Sequence, residues 1–256
     1  MSTQFSVQSS DPLLLEKACR VAREFAQQYV REELVGIVFL GAIARGYYDS
    51  SADIDIALFK KEGSEISLAS QFLKVEGLEV HCHLADYESE MASPWDMAKR
   101  WTFSQGLIHY DPQGRISRLL EEKVPLKPEE KRWLLMSGLT CSEWYVNRLT
   151  DLWVARGNMI SAQHMFFQGL NYFFDMLFAL NDELVADMKW RYYCAEKLKR
   201  LPGNFQERFK ETLTLQTFSM EELERRKSAF MEMWNEMRPI IEQEVHLSYE
   251  EIVSLT

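Results

Sequence analysis

Two aspartates separated by one residue, Asp53 and Asp55, are the feature of this sequence that most clearly suggests chemistry. The residues around them are apolar and predict a β-strand, on which side chains two positions apart point to the same face. Two carboxylates on one face of an apolar strand repel each other, and a bound cation relieves that repulsion. Oxygen ligands in this arrangement suit Mg²⁺, with a phosphate group completing the coordination shell. The spacing therefore predicts a metal site, and the alternative is a strand edge whose two aspartates face water.

A glycine turn precedes the aspartate pair. Apolar residues from Val35 to Leu40 predict a strand, and Gly41 follows it at the start of a short segment of small residues. A strand that ends in glycine and opens a short helix presents free backbone N–H groups and the positive end of the helix dipole, which favour phosphate binding. Features suited to a metal and to a phosphate thus lie within one strand–turn–strand segment.

This segment, FLGAIARGYYDSSADIDIALF, resembles the signature of the polymerase-beta-type nucleotidyltransferase superfamily. In that signature a hydrophobic residue, Gly and Ser are followed a short distance along the chain by Asp-x-Asp. The resemblance implies that Asp53 and Asp55 bind Mg²⁺ or Mn²⁺ and that ATP or another nucleoside triphosphate is the co-substrate. It also implies that Gly41, the backbone of Ala42 and Arg45 bind the triphosphate. Ala42 departs from the pattern, because the superfamily usually has Ser here, whose hydroxyl is expected to hydrogen-bond a phosphate.

A strictly alternating stretch, LEVHCHL from 78 to 84, predicts the second strand of a hairpin whose turn is Glu76-Gly77. The alternation places Glu79, His81 and His83 on one face. In the superfamily that the aspartate pair resembles, a third carboxylate lies on a strand beside the Asp-x-Asp strand. Glu79 is the best acidic candidate for that role, as a metal ligand or general base, and His81 is predicted to contact the acceptor. The alternatives are a zinc site on this Glu-x-His-x-His face and a polar face that is merely exposed.

The composition of the chain limits the classes of partner that the protein is expected to have. Hydrophobic residues make up 46% of the chain, as in a packed globular protein, yet no apolar run is long enough to cross a membrane. The N-terminal segment MSTQFSVQSSDP lacks the basic and apolar regions of a secretory signal, and the four scattered cysteines form no Cys-x-x-Cys. We therefore expect a cytoplasmic protein with reduced thiols and no membrane partner. A net charge of −10 argues against a nucleic-acid partner and tolerates a small cationic acceptor.

The pattern of predicted elements changes near residue 125. Strand and helix patterns occur before it, and only long amphipathic helical periods follow it. We therefore expect an α+β protein, with a small mixed-sheet nucleotidyltransferase domain over residues 1–125 and an all-α helical bundle over residues 126–256. The first domain is predicted to begin with a helix from Pro12 to near Glu32. The bundle helices are predicted over residues 128–155, 161–180, 184–200, 204–212 and 220–244.

Three residues of the bundle are candidates for nucleotide or acceptor contacts. Asp175 lies four residues after Asn171 amid apolar neighbours, which indicates either polar groups that face an acceptor cleft or a buried helix–helix hydrogen bond. The stretch that contains Lys189 and Trp190 resembles the Lys-Trp element of small-molecule nucleotidyltransferases, including several that adenylylate antibiotics. That resemblance implies that Lys189 reaches triphosphate oxygens and that Trp190 contacts the acceptor. The alternative is an amphipathic helix with Trp190 in the core and Lys189 in solvent.

Together these features predict an enzyme that transfers a nucleoside monophosphate, AMP in the favoured case, to a hydroxyl of a small aminoglycoside-like or lincosamide-like acceptor. An antitoxin-type nucleotidyltransferase that modifies a protein or tRNA is one alternative, although such chains tend to be shorter and to lack a large helical domain. A non-catalytic nucleotide-binding module is the other, with Ala42 as its argument. A bundle that forms a homodimer is compatible with each.

Overall fold

The structure, a computed structural model, describes residues 10–256, and the chain divides into two compact units, one up to Pro125 and one from Leu126. The first unit combines a mixed β-sheet with helices, and the second is helical throughout its regular elements. The expected α+β class is therefore confirmed. The expectation drawn from the N-terminal segment falls on residues 1–9, which lie outside the described residues.

A five-stranded sheet forms the centre of the first unit, in the order β3-β4-β2-β1-β5. Strands β2 and β4 run parallel, and every other neighbouring pair is antiparallel, so the sheet is mixed. The predicted hairpin joins β3 and β4, and its turn residues Glu76 and Gly77 both have positive φ angles, as a tight two-residue hairpin requires. The strands are β1 (Leu34–Leu40), β2 (Ile54–Lys60), β3 (Phe72–Val75), β4 (Leu78–Asp86) and β5 (Leu107–Tyr110).

The first helix begins where the sequence predicts and ends earlier. Asp11 caps it by accepting hydrogen bonds from the backbone N–H groups of Leu13 and Leu14. The helix stops at Gln27, ahead of the predicted end near Glu32, because the following residues form turns that lead directly into β1. The helices of this unit are α1 (Pro12–Gln27), α2 (Gly41–Ala44), α3 (Tyr87–Ala92), α4 (Met97–Ser104) and α5 (Arg115–Lys123).

Strand β2 is buried on both faces along most of its length. Ile54, Ile56 and Leu58 are fully buried on one face, and α1 packs against this strand. Ala57 and Phe59 belong to the core cluster on the other face, together with residues of α3, α4 and α5. Asp55 shares this second face at the beginning of the strand, where it is only partly buried. The packing therefore leaves one end of β2 open to solvent on the carboxylate face.

The second unit contains two long helices and several shorter ones. Its elements are α6 (Pro128–Glu143), a π-helical segment (Trp144–Leu149), α7 (Thr150–Ala155), α8 (Met159–Leu180), α9 (Arg191–Ala195), α10 (Phe205–Leu213), α11 (Met220–Val245) and α12 (Tyr249–Leu255). The predicted helix over residues 128–155 is thus continuous but passes through a π-helical turn. Among the helices of residues 10–256, none combines the length and the apolar character needed to cross a membrane.

The helix predicted over residues 184–200 is wrong, since only Arg191–Ala195 is helical there. Asn181, which follows α8, explains the difference. Its side-chain oxygen accepts from the backbone N–H groups of Lys199 and Arg200, and its amide donates to the carbonyls of Leu177 and Arg200. These bonds hold the end of the segment against the end of α8, which a straight helix over the same residues could not reach.

Candidate active site

The sheet register brings the predicted site residues to one end of β2. Leu40, the last residue of β1, pairs with Asp55 across the antiparallel ladder. On the other side of β2, Asp55 pairs with His81 of the parallel strand β4. Asp53 lies just before β2 begins, two residues from Asp55 and on the same side of the chain. The central position of β2 therefore places the two aspartates between the glycine turn and β4.

Asp53, Asp55 and His81 converge. The Nδ1 atom of His81 lies 2.9 Å from Asp53 Oδ2 and 3.7 Å from Asp55 Oδ1. One ligand atom from each of the three residues lies within 4.8 Å of the others, and no other group of this kind occurs among the described residues. Each side chain is between 26% and 39% exposed, so an ion can approach from solvent. The arrangement fits a divalent cation held by two carboxylates and one imidazole.

Gly41 lies against this cluster. Its φ angle is +61°, a left-handed conformation that glycine adopts without strain. A Cβ atom at this position would lie 2.1 Å from Oδ2 of Asp55. Glycine is therefore required at this position for two reasons. It adopts the left-handed backbone conformation, and it lets the main chain approach the Asp55 carboxylate closely.

Ala42 and Arg45 follow the turn and are both buried. Ala42 lies in α2 and is 5% exposed. Arg45 is 7% exposed, and its guanidinium stacks over the ring of Trp101 at 4.4 Å from the centroid. The roles predicted for these residues in triphosphate binding stay predictions, and the structure adds that Arg45 is held by an aromatic contact.

Glu79 is exposed and lies at the beginning of β4, two residues before His81. It does not belong to the cluster of three ligand atoms, and its predicted role as third carboxylate stays a prediction. Glu79 lines a cavity of about 580 Å³ together with Tyr48, Ser50 and Ser51 from the loop before β2. The sequence associated Glu79 with the metal and His81 with the acceptor. The structure instead brings His81 to the aspartates and places Glu79 beside a polar cavity.

Two tyrosines that the sequence did not single out lie near the cluster. Burial raises the pKa of Tyr47 and of Tyr48 to about 12, and the carboxylates of Asp53 and Asp55 also raise both pKa values. Both phenols therefore keep their protons at neutral pH. The Tyr48 hydroxyl is buried and has no hydrogen-bond partner among residues 10–256. The sequence does not predict that these tyrosines lie beside the metal cluster, because the pattern YYDSS is also common in polar loops.

The candidates of the second unit lie in and after α8. Burial raises the pKa of Asp175 to about 6, although the Arg191 guanidinium, 3.5 Å away, lowers it. The same guanidinium donates to the side-chain oxygen of Asn171 at 3.4 Å, so the polar pair predicted on α8 is joined by an arginine from α9. Lys189 is exposed, and Trp190 is partly buried with its ring 5.7 Å from that of Tyr193. Their predicted contacts with nucleotide and acceptor stay predictions.

Comparison with known proteins finds similar solved structures but no matching sequence family. No family model matches the chain, and no curated protein sequence does. A nucleotidyltransferase-like protein from Exiguobacterium sibiricum 255-15 is similar over 90% of this chain and 77% of its own, with 12% sequence identity and a TM-score of 0.48. Values this low do not establish a family, so the function must be argued from the site itself.

Proposed function

We propose that this protein is a nucleotidyltransferase that depends on a divalent metal and transfers a nucleoside monophosphate, AMP in the favoured case, to a hydroxyl of a small acceptor. The observation that carries the proposal is the convergence of Asp53, Asp55 and His81 beside Gly41. Gly41 and the two aspartates belong to the segment whose order of residues resembles the superfamily signature, and His81 joins them from β4. The convergence supports the proposal because the Asp-x-Asp pair of the signature forms a compact set of metal ligands with His81.

Mg²⁺ or Mn²⁺ would be held by Asp53 and Asp55, with His81 as the third ligand. The bound ion supplies positive charge that offsets the negative charge of the reacting phosphates. The two aspartates provide the hard oxygen atoms that both ions prefer, and the imidazole nitrogen favours Mn²⁺ over Mg²⁺. Gly41 contributes by leaving space, since any side chain there would displace the Asp55 carboxylate.

The remaining assignments follow from the chemistry of transfer to a hydroxyl. Glu79 is assigned as the general base that accepts the proton of the attacking hydroxyl. The polar cavity beside it, with the hydroxyls of Ser50 and Ser51 in its lining, supports a small hydroxylated acceptor. The backbone of Gly41 and Ala42 is assigned to the triphosphate, together with Arg45. Lys189 and Trp190 keep the roles that the resemblance implies, and Asp175 keeps the acceptor contact expected from its place amid apolar residues.

A second candidate is a nucleotide-binding module without transfer activity. Ala42 favours it, because the methyl group in place of the usual serine is buried and offers no hydrogen bond to a phosphate. The retained ligand cluster favours the enzyme, since two carboxylates beside one another are unfavourable unless a cation or a proton compensates them. The two candidates share metal-dependent nucleotide binding and differ only in turnover.

Calorimetric titration with a non-hydrolysable ATP analogue and Mn²⁺ or Mg²⁺ tests the shared step. We expect binding that requires the metal in the natural protein and is lost in the Asp53→Asn/Asp55→Asn double variant. Asp86→Asn is the matched control, because Asp86 lies at the far end of β4, where it pairs with Lys60. Binding of no nucleoside triphosphate, or equal binding in the double variant, would contradict the proposal. Release of pyrophosphate with hydroxylated acceptors then separates the enzyme from the binding module.

A further inference from the structure

A cavity of about 700 Å³ lies in the second unit, apart from every residue assigned above. Its lining comes from the end of α6, the π-helical segment, α11 and α12. The volume falls in the range of small-molecule binding sites. The nature of the lining decides which molecules would fit.

The lining contains three aromatic side chains, Trp144, Trp234 and Tyr249. Trp144 is 48% exposed at the cavity, whereas Trp234 is almost fully buried. The indole N–H of Trp234 donates to the carbonyl of Leu139 at 2.9 Å, so its hydrogen-bonding capacity is already used. The ring of Tyr249 lies edge-on to Trp234 at 5.3 Å. The cavity therefore offers flat aromatic surfaces, which pack best against a planar partner.

Two arginines stand over these rings. Arg238 lies 4.5 Å from the ring centroid of Tyr249, and the carboxylates of Glu242 and Glu250 compensate its charge at 3.1 and 3.4 Å. Arg148 lies 5.7 Å from the ring centroid of Trp144 and has no carboxylate within salt-bridge distance among the described residues. Arg148 is therefore the cation of this cavity whose charge an anionic ligand can compensate.

An unusual backbone places these residues. The π-helical segment from Trp144 to Leu149 interrupts an otherwise α-helical stretch, and such turns are rare and frequently occur at functional sites. The amide of Asn147 donates to Glu143 Oε1 at 3.1 Å and to the Met231 sulfur at 3.3 Å, which ties the segment to α11 at the cavity. Trp144 and Arg148 therefore lie on a helical segment that these hydrogen bonds fix against α11.

We propose that this cavity binds a planar aromatic molecule that carries one anionic group, with the ring against Trp144 and the anion at the guanidinium of Arg148. Arg148 has the geometry for two parallel hydrogen bonds to a carboxylate, sulfonate or phosphate. Burial raises the pKa of the Tyr249 phenol to about 12, and the phenol hydrogen-bonds the Glu143 carboxylate beside it, so Arg148 is the group of this cavity assigned to the anion. This site uses no residue of the proposed metal cluster.

Two fluorescent probes test the proposal on the full chain. Anilinonaphthalene sulfonate has the planar rings and the anion, and phenyl-naphthylamine has similar rings without the charge. We expect saturable binding of both probes with one site each, detected by energy transfer from tryptophan. Arg148→Met should weaken the sulfonate by about tenfold or more, the effect of losing a charge-assisted hydrogen bond, and leave the neutral probe unchanged.

Arg156→Met is the matched control, because Arg156 stacks on Trp153 at 5.0 Å in the same way but does not line the cavity. It should leave both probes unchanged. A second pair of variants changes charge at the exposed cavity residue Val253 without disturbing the core. Val253→Glu should weaken the sulfonate relative to Val253→Gln, with equal affinity for the neutral probe.

Three results would overturn the inference. One is the absence of saturable sulfonate binding to the natural protein. Another is an equal loss in Arg148→Met and Arg156→Met, which would indicate general surface charge. The third is equal sulfonate affinity in the two Val253 variants, which would mean that the probe binds elsewhere. Circular dichroism melting of each variant verifies that the fold is retained. If Arg148→Met does not fold, the comparison of the two Val253 variants tests whether the sulfonate binds in this cavity.

Discussion

The imidazole Nδ1 of His81 lies 2.9 Å from the carboxylate of Asp53, although the two residues are distant in the sequence. The parallel pairing of β2 and β4 creates this contact by placing His81 directly beside Asp55. A histidine thereby joins two aspartates at the open end of a central strand. This relationship makes the site a mixed nitrogen and oxygen cluster, with consequences for its metal preference.

Replacing His81 with alanine should weaken Mn²⁺ binding by about tenfold or more, the range for losing a residue that binds or orients metal ligands. Mg²⁺ should be affected less, because it prefers oxygen ligands. Calorimetric titration with each ion measures both effects. His83→Ala is the control, since His83 is exposed on the same strand and outside the cluster. Equal losses in the two variants, or no loss in His81→Ala, would exclude His81 from the metal site.

Gly41→Ala should destabilise the fold and abolish metal binding, because the new Cβ would lie 2.1 Å from Asp55 Oδ2. Gly63→Ala separates this contact from backbone strain, since Gly63 has φ +71° but nothing within 4 Å of a Cβ. The control should lose about 1 kcal/mol from left-handed strain alone. Gly41→Ala should lose about 2–3 kcal/mol, as substitutions that also create a steric clash do. Urea unfolding measures the difference, and equal losses would show that the Asp55 contact is unimportant.

Glu79→Gln should lower kcat by about a hundredfold or more while the affinity for nucleotide stays within about twofold, as expected for loss of a general base. The amide keeps the size of the side chain and loses its capacity to take a proton. Steady-state kinetics with a hydroxylated acceptor, combined with nucleotide titration, provide both values. Glu65→Gln, in an exposed part of the same unit, serves as the control. A variant that turns over normally but binds nucleotide poorly would refute the base assignment.

Asp175 should make stability depend on pH. Burial raises its pKa from 3.8 to about 6, so the folded protein holds this proton more tightly than the unfolded chain. The contribution of this proton to the free energy of unfolding is therefore fully present below pH 3.8 and is lost as the pH rises through about 6. The loss is at most about 3 kcal/mol for a shift of this size, and partial exposure reduces it.

Asp175→Asn removes this titration, so its free energy of unfolding relative to the natural protein should rise between pH 4 and about 6 and then stay constant. Urea unfolding at a series of pH values measures the difference. Glu232→Gln on the exposed side of α11 should give a difference that does not change over this range. A flat difference for Asp175→Asn as well would show that its carboxyl titrates normally.

Local sequence determined much of the first unit. The alternation in β4 and the residues Glu76 and Gly77 predict the hairpin, because a tight turn and a period of two are properties of neighbouring residues. The cap at Asp11 is predicted for the same reason. The common face of Asp53 and Asp55, and the glycine before them, also follow from spacing alone.

Tertiary structure decided the remaining features, because they depend on contacts between residues distant in the chain. The partner of the aspartates, His81, was set by which strand pairs with β2 and in what register. The segment predicted as a helix folds back on the end of α8 instead, because the backbone of Lys199 and Arg200 donates hydrogen bonds to Asn181. The π-helical turn lies where α8 approaches closely, since a Cβ on Gly169 would be 2.5 Å from a Val146 side-chain atom. Amphipathic periodicity records which residues are apolar, but strand register, chain reversal and close helix crossings are determined by packing partners that periodicity does not specify.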